Sequence, residues 1–134
     1  MFDWIKLYFI AAITFVALDF IWLLFIARKL YQEQLGGLLG ETRIAPAVIF
    51  YLLYLAGILF FVVNPAIEKE SLSYAIMAGG FLGLLCYGTY DLTNLSTIKD
   101  WPILVTSLDL VWGTFVTAST SGITYFIAQW INGR

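Results

Sequence analysis

The chain contains no histidine and a single cysteine, Cys86, among its 134 residues. The absence of histidine excludes imidazole general bases, Ser-His-Asp triads and histidine-ligated zinc or haem. A lone cysteine forms no internal disulfide, and within an apolar segment it is more typical of a small buried hydrophobe than of a nucleophile. Any chemistry must therefore rest on carboxylates, tyrosines, amides or bound cations. The sequence identifies no catalytic residue, and we predict neither a resident metal nor a cofactor.

Charged residues are also scarce. Only 12% of the residues are charged, and the formal net charge is -2, whereas about a quarter of the residues are charged in ordinary globular domains. The mean hydropathy is +0.88. The seven Lys and Arg residues are scattered along the chain, so neither a nucleic-acid footprint nor a polybasic lipid-binding patch is present. We therefore exclude nucleic acid as a partner.

Four long apolar segments account for nearly the whole chain. Each has about the length of roughly 20 residues that a helix needs to cross a bilayer. We predict one all-α transmembrane domain, an up-down four-helix bundle whose main partner is the lipid bilayer. Its predicted spans cover residues 4–27, 45–63, 72–95 and 102–130.

Two of the connections allow more specific predictions. Residues 30–43 mix leucines with glycines and polar residues, which predicts a short interfacial helix packed over the bundle. The second span is expected to stop near Asn64 and Pro65, because proline interrupts a helical pattern.

Three aspartates lie within the spans. Asp19 is about eight residues from the end of its span and Asp109 about seven from the start of its own, so both lie roughly 10 to 12 Å deep at 1.5 Å per residue. Asp91 is shallower but on the same side. An up-down bundle brings these three ends to one face, so we expect the three carboxylates to converge on one pocket. The other candidate lining residues are Trp22, Tyr87, Tyr90, Asn94, Thr106 and Trp112.

These aspartates are costly in a membrane. An aspartate at the centre of a span costs about 2.5 to 3.5 kcal/mol on insertion scales, and no Lys or Arg within the spans is placed to pair with it. Each must be protonated, hydrogen-bonded or bound to a cation. Desolvation and mutual repulsion favour the protonated form, so we expect at least one of the three to hold a proton near neutral pH. The structural alternative is that Asp19 and Asp109 bond to neighbouring helices and fix their register.

The last two spans each carry one distinctive face. A sector about 100 degrees wide on the third span contains Gly80, Gly83, Tyr87, Tyr90, Asp91 and Asn94. Its glycines permit close helix approach, which would serve either the bundle core or the interface of a homo-oligomer. One side of the fourth span contains Thr106, Asp109, Gly113, Thr117, Thr120 and Thr124.

The motif Leu-Asp-x-x-Trp occurs twice, at residues 18–22 and 108–112. We do not interpret it as an internal repeat. The two helices run in opposite directions, so the tryptophans are expected at different depths.

Several motifs are spread over the chain, including Leu18-Asp19-x-x-Trp22, Pro46-Ala47-x-x-Phe50-Tyr51, Asn64-Pro65-Ala66, Thr89-Tyr90-Asp91-Leu92-Thr93-Asn94 and Asp109-x-x-Trp112-Gly113. Together they resemble a family of small bacterial membrane proteins known only as domain of unknown function 2177. The resemblance covers essentially the whole chain, and the Thr-Tyr-Asp-Leu-Thr-Asn string is specific. It implies a four-helix integral protein of the bacterial inner membrane. It implies no activity, substrate or established site.

Three functions are compatible with these features. Polar groups at membrane depth are typical of substrate, ion or proton sites. Our first hypothesis is therefore a protein that binds or transports a small molecule, a cation or protons through a carboxylate- and aromatic-lined pocket near one membrane face. The second is a membrane-embedded enzyme acting on a lipid or isoprenoid-like substrate, with Asp91 or Asp109 as general acid and base. The third is a structural subunit of a membrane assembly.

Overall fold

The computed structural model describes residues 4–36 and 44–132, and every secondary-structure element among them is helical. Four helices are long and apolar enough to cross a membrane. We call them spans one to four: Trp4–Phe25, Ile44–Lys69, Leu72–Thr97 and Ile103–Ile131. The predicted all-α, up-down four-helix bundle is confirmed. We call the side where span one ends and span four begins the site end, and the opposite side the far end.

Two of the spans contain a π-helical turn. The α-helices are α1 (Trp4–Trp22), α2 (Arg28–Leu35), α3 (Ile44–Ile58), α4 (Asn64–Lys69), α5 (Leu72–Thr97) and α6 (Ile103–Asn132). The π turn Leu23–Ala27 joins α1 to α2 without a break. The predicted separate interfacial helix is therefore the continuation of span one up to Leu35, and residues 37–43 of that connection lie outside the described residues.

Span two does not stop at Asn64 and Pro65, and this prediction is wrong. The π turn Leu59–Val63 joins α3 to α4, and the helix continues to Lys69. In an α-helix each N–H bonds to the carbonyl oxygen four residues back, whereas in a π turn it bonds to the one five residues back. The π turn ends with the Asn64 N–H bonded to the carbonyl oxygen of Leu59, and Pro65, which has no N–H to donate, follows directly in the first turn of α4.

The outer surface of the bundle is strongly apolar. Side chains such as Ile13, Phe25 and Met77 are exposed, as expected for groups that face acyl chains. The inward face of span one repeats every three or four residues, which is the spacing of one helical face. It consists of Leu7, Ala11, Phe15, Asp19 and Trp22.

Spans three and four approach each other closely because glycine removes side chains from their contact. A Cβ added at Gly83 would overlap the carbonyl oxygen of Gly113, and one added at Gly113 would overlap the ring of Tyr87. Gly80 faces the same helix, since its Cβ would lie 3.5 Å from Thr114 Cγ2. Both glycines predicted to permit close approach therefore serve the contact inside the bundle.

This contact sets the register of the two helices. Tyr87 lies opposite Gly113, and residues four apart share a helical face. Asp91 is four residues after Tyr87 on span three, and Asp109 is four residues before Gly113 on span four. The two carboxyl groups interact across the interface. The glycine contact thus places one carboxyl group against the other.

Alanine at Gly83 is expected to destabilise the protein by about 1–3 kcal/mol, because the added Cβ meets backbone and the helices must separate. Gly57→Ala is the matched control, since nothing lies within 4 Å of a Cβ at that position and alanine favours a helix over glycine. Unfolding in mixed micelles with increasing SDS measures both variants. Equal stability of the two would contradict a register set by glycine contact.

Candidate functional site

A cavity of about 320 Å³ lies between spans two, three and four at the site end. This volume is at the lower end of the roughly 300–1,000 Å³ typical of small-molecule pockets. The described lining is mainly aromatic, with two carboxyl groups and no Lys or Arg. It consists of Ala47, Phe50, Tyr51, Cys86, Tyr87, Tyr90, Asp91 and Asp109.

The cavity opens sideways, toward the surface that faces lipid. At the site end α3 packs against α1, whereas span two contacts spans three and four chiefly through Leu59–Val63 and α4. The site-end parts of spans two and three therefore stand apart. Phe50 and Tyr90 at this edge are 46% and 59% exposed. A ligand dissolved in the bilayer would reach the cavity without crossing the bundle.

Asp91 is the least satisfied polar group of the cavity. Its side chain is 0% exposed, and apart from the facing carboxyl group of Asp109 neither carboxylate oxygen has a hydrogen-bond partner among the described residues. Its neighbour across the interface is the carboxyl group of Asp109, which is buried as well. A hydrogen bond between two carboxyl groups requires a proton on one of them. Without that proton, two like charges in contact need a bound cation.

Asp19 has a different environment. Tyr51 donates its hydroxyl hydrogen to Asp19 Oδ2 at 2.6 Å, and Trp112 donates its indole N–H to Asp19 Oδ1 at 3.2 Å. Each carboxylate oxygen therefore has a donor, and the two bonds join spans one, two and four. This is the arrangement that the structural alternative predicted for Asp19.

The three carboxylates do not converge on one pocket, and this prediction is wrong. Asp91 and Asp109 line the larger cavity, whereas Asp19 lines a neighbouring one of about 60 Å³. Tyr51 lines both cavities and stands between them. Depth along a span follows from counting residues, but the direction of a side chain around the helix axis depends on packing. Residues 4–36 and 44–132 contain no group of three or more His, Cys, Asp or Glu side chains that could hold a metal ion.

The two tryptophans of the repeated motif meet at the same level. The rings of Trp22 and Trp112 stack with their centroids 4.7 Å apart and an interplanar angle of 6°. The expectation of different depths is therefore wrong for the rings. Helical side chains lean toward the N-terminus of their own helix. On antiparallel helices the two indoles lean toward each other, which closes the difference in depth between their Cα atoms.

The remaining predicted residues take different positions. Tyr87 and Tyr90 line the cavity, and Asn94 interacts with the Tyr90 hydroxyl at its edge. Thr106 is not among the lining residues, and its hydroxyl donates to the backbone carbonyl oxygen of Asp91 at 3.5 Å. It also accepts the indole N–H of Trp101 at 3.0 Å.

The residues of span two were missing from the sequence prediction of the pocket. Phe50 and Tyr51 form one wall of the cavity, together with Ala47. Cys86 on span three was also missed, because its apolar surroundings suggested packing only. One signal was available, since tyrosines are the main polar side chains of span two, at Tyr51 and Tyr54.

Residues 4–126 match the model of a family described as "Predicted membrane protein (DUF2177)". The chain belongs to this family. The matched residues of this DUF2177 protein include the whole lining of the cavity. The resemblance inferred from the motifs is confirmed, and the family description agrees with the four apolar spans. Comparison with curated proteins and with solved structures gave no match.

Asparagine is expected to have opposite effects at two aspartates of this DUF2177 protein. In Asp19→Asn only one side-chain oxygen remains, so either the Tyr51 hydroxyl hydrogen or the Trp112 N–H loses its acceptor, and we expect a loss of about 1–2 kcal/mol. In Asp91→Asn the amide donates to the facing carboxyl group, so stability stays equal or rises. SDS unfolding in mixed micelles measures both. A larger loss in Asp91→Asn than in Asp19→Asn would contradict this assignment of donors.

Proposed function

We propose that this protein binds a small organic cation beside Asp91 and Asp109, in exchange for a proton that the two carboxyl groups share. The observation that carries the proposal is the state of Asp91, whose side chain is buried against the carboxyl group of Asp109 and receives no hydrogen bond from any other described residue. A cation would supply the positive charge that the described lining lacks. Since charges within a span usually mark substrate or proton sites, we further propose that the cation is transported across the bacterial inner membrane.

The aromatic lining favours an organic cation over a metal ion. Phe50, Tyr51, Tyr87 and Tyr90 surround the carboxyl pair, and aromatic faces attract cations within about 6 Å of the ring centre. A hard divalent ion is bound by carboxylate, carbonyl and water oxygens, whereas this lining combines two carboxyl groups mainly with aromatic rings. The lateral opening also favours a cation with apolar substituents, because such a molecule partitions into the bilayer.

The carboxyl pair accounts for the exchanged proton. The titratable groups that line the cavity beside it are Tyr51 from span two and Cys86, Tyr87 and Tyr90 from span three. Phenols and thiols are ordinarily neutral near neutral pH, and span one contributes no residue to the described lining. Proton and cation compete for the same negative charge, so each should weaken the binding of the other.

Calorimetric titration with 1-methyl-4-phenylpyridinium tests this exchange. In buffers of different ionisation enthalpy we expect release of one proton per bound cation. The apparent Kd should fall by about tenfold per pH unit as long as the pair carries its proton. Raising the pH therefore tightens binding, because fewer protons compete.

Matched variants complete this experiment. Asp91→Asn and Asp109→Asn should each abolish binding, because each variant leaves only one of the two carboxylates that the ionised pair presents to the cation. Asp100→Asn is the control: it lies in an exposed turn and has a φ of 63°, which asparagine tolerates. Binding without proton release, or undiminished binding in both cavity variants, would overturn the proposal.

Cys86 provides a second readout because it is the only cysteine of the chain and lines the cavity. A membrane-permeant maleimide should label it more slowly in the presence of saturating 1-methyl-4-phenylpyridinium, since the bound cation fills the space beside the thiol. In Asp91→Asn the same cation should give no protection. Protection that persists in Asp91→Asn would show that the probe binds elsewhere.

A further inference from the structure

Span four carries a row of buried hydroxyl groups between the middle of the bundle and its far end. We call this set the hydroxyl row, and its members are 0% exposed: Thr117, Thr120, Ser121 and Thr124. Their spacings of three and four residues keep them on one side of the helix. Neighbouring positions at these spacings have Cβ atoms about 5–6 Å apart, a gap that a bridging water can close.

Most of the hydroxyl row lacks a hydrogen-bond partner. Thr120 Oγ1, Ser121 Oγ and Thr124 Oγ1 have none among the described residues. Thr114 on the same helix behaves differently, because its hydroxyl donates to the carbonyl oxygen of Leu110 at 2.8 Å. A buried polar group without a partner costs about 1–3 kcal/mol, and it commonly marks the position of water or an ion. Three such groups therefore follow one another on one side of span four.

Span three packs directly against this row. Gly79 packs against Ser121, and a Cβ at Gly79 would lie 2.5 Å from Ser121 Oγ. Span two adds another unpartnered donor toward the far end, the buried Asn64 Nδ2. The polar interior is therefore not confined to span four.

Other polar groups lie toward both ends of the hydroxyl row. Toward the cavity, the hydroxyls of Thr117 and Tyr54 share a hydrogen bond of 2.6 Å. The ring of Tyr54 in turn lies edge-on to the ring of Tyr87, a lining residue, with the two centroids 6.4 Å apart. Toward the far end, Gln129 donates its amide N–H to the Tyr125 hydroxyl at 3.2 Å, and Gln129 is partly exposed.

We infer that the hydroxyl row carries protons between the far face of the bundle and the Asp91/Asp109 pair. This inference rests on the proposed function, because a pair that exchanges a proton for a cation needs a route for that proton. The cavity itself opens toward acyl chains, which do not conduct protons. A hydroxyl accepts one proton and passes on another, so each side chain returns to its neutral form and no covalent bond other than O–H is broken.

The titratable groups along this route are few. Among the described residues they are Tyr54 from span two, Cys86 and Tyr87 from span three and Tyr125 from span four itself, all of them ordinarily neutral near neutral pH. The carboxyl pair is therefore the group whose proton reports on the route.

Infrared spectroscopy of the protein in lipid nanodiscs tests the route without any cation. Transfer into D₂O shifts the C=O band of the protonated carboxyl pair, and the band is assigned by its loss in Asp91→Asn. We expect the exchange to slow by roughly tenfold or more, or about 1.4 kcal/mol in barrier height, when Thr120→Val and Thr124→Val are combined. Valine keeps the shape of threonine, and removal of unpartnered hydroxyls should not destabilise the fold.

Thr114→Val is the control, because its hydroxyl is satisfied by the backbone and should not contribute to the route. Wild-type exchange rates in the double variant would overturn the inference, as would an equal slowing in Thr114→Val. Absence of the carboxyl band from the wild type would also overturn it. Calorimetry on the same variants separates the two proposals, since the double variant should retain the wild-type Kd for 1-methyl-4-phenylpyridinium. Failure of the wild type to bind the cation would refute the proposed function and leave the exchange result to decide on the route.

Discussion

The close contact between spans three and four is the constraint on which the rest of the site depends. Helices usually pack with axes 8–10 Å apart, depending on the side chains at the contact, and glycine at Gly83 and Gly113 removes those side chains. Backbone then meets backbone or an aromatic ring, so the helices cannot slide past each other. Residues one turn further toward the site end are held in the same register, which places Asp91 against Asp109.

The inward-facing carboxylates of Asp19 and Asp91 differ in their hydrogen-bond partners. Asp19 accepts one hydrogen bond on each oxygen, from Tyr51 and Trp112, and the stacked ring of Trp22 covers this contact. Asp91 faces only the carboxyl group of Asp109 and receives a hydrogen bond from no other described residue. A carboxylate is costly in an isolated membrane helix. The carboxylate of Asp19 is stabilised by hydrogen bonds that join three spans, whereas that of Asp91 depends on a proton or a ligand.

The two ends of the bundle differ in packing because span two changes its neighbours along its length. Its site-end part packs against span one, and from the π turn Leu59–Val63 onward it packs against spans three and four as well. The cavity exists where span two stands away from span three. The hydroxyl row extends into the region where all the helices are close, and there a polar path must consist of buried side chains rather than open space.

The sequence alone determined the four spans, the approximate depth of the aspartates and the glycine face of span three, because length, hydropathy and helical period are local properties. The continuation of span two through Pro65 depended on a change of hydrogen-bond pattern that residue preferences do not encode. The rotation of Asp19 toward Tyr51, the stacking of Trp22 on Trp112 and the wall formed by Phe50 were decided only by tertiary structure. Each requires knowing which helices are neighbours and how they are turned, and that follows from contacts between residues far apart in the chain.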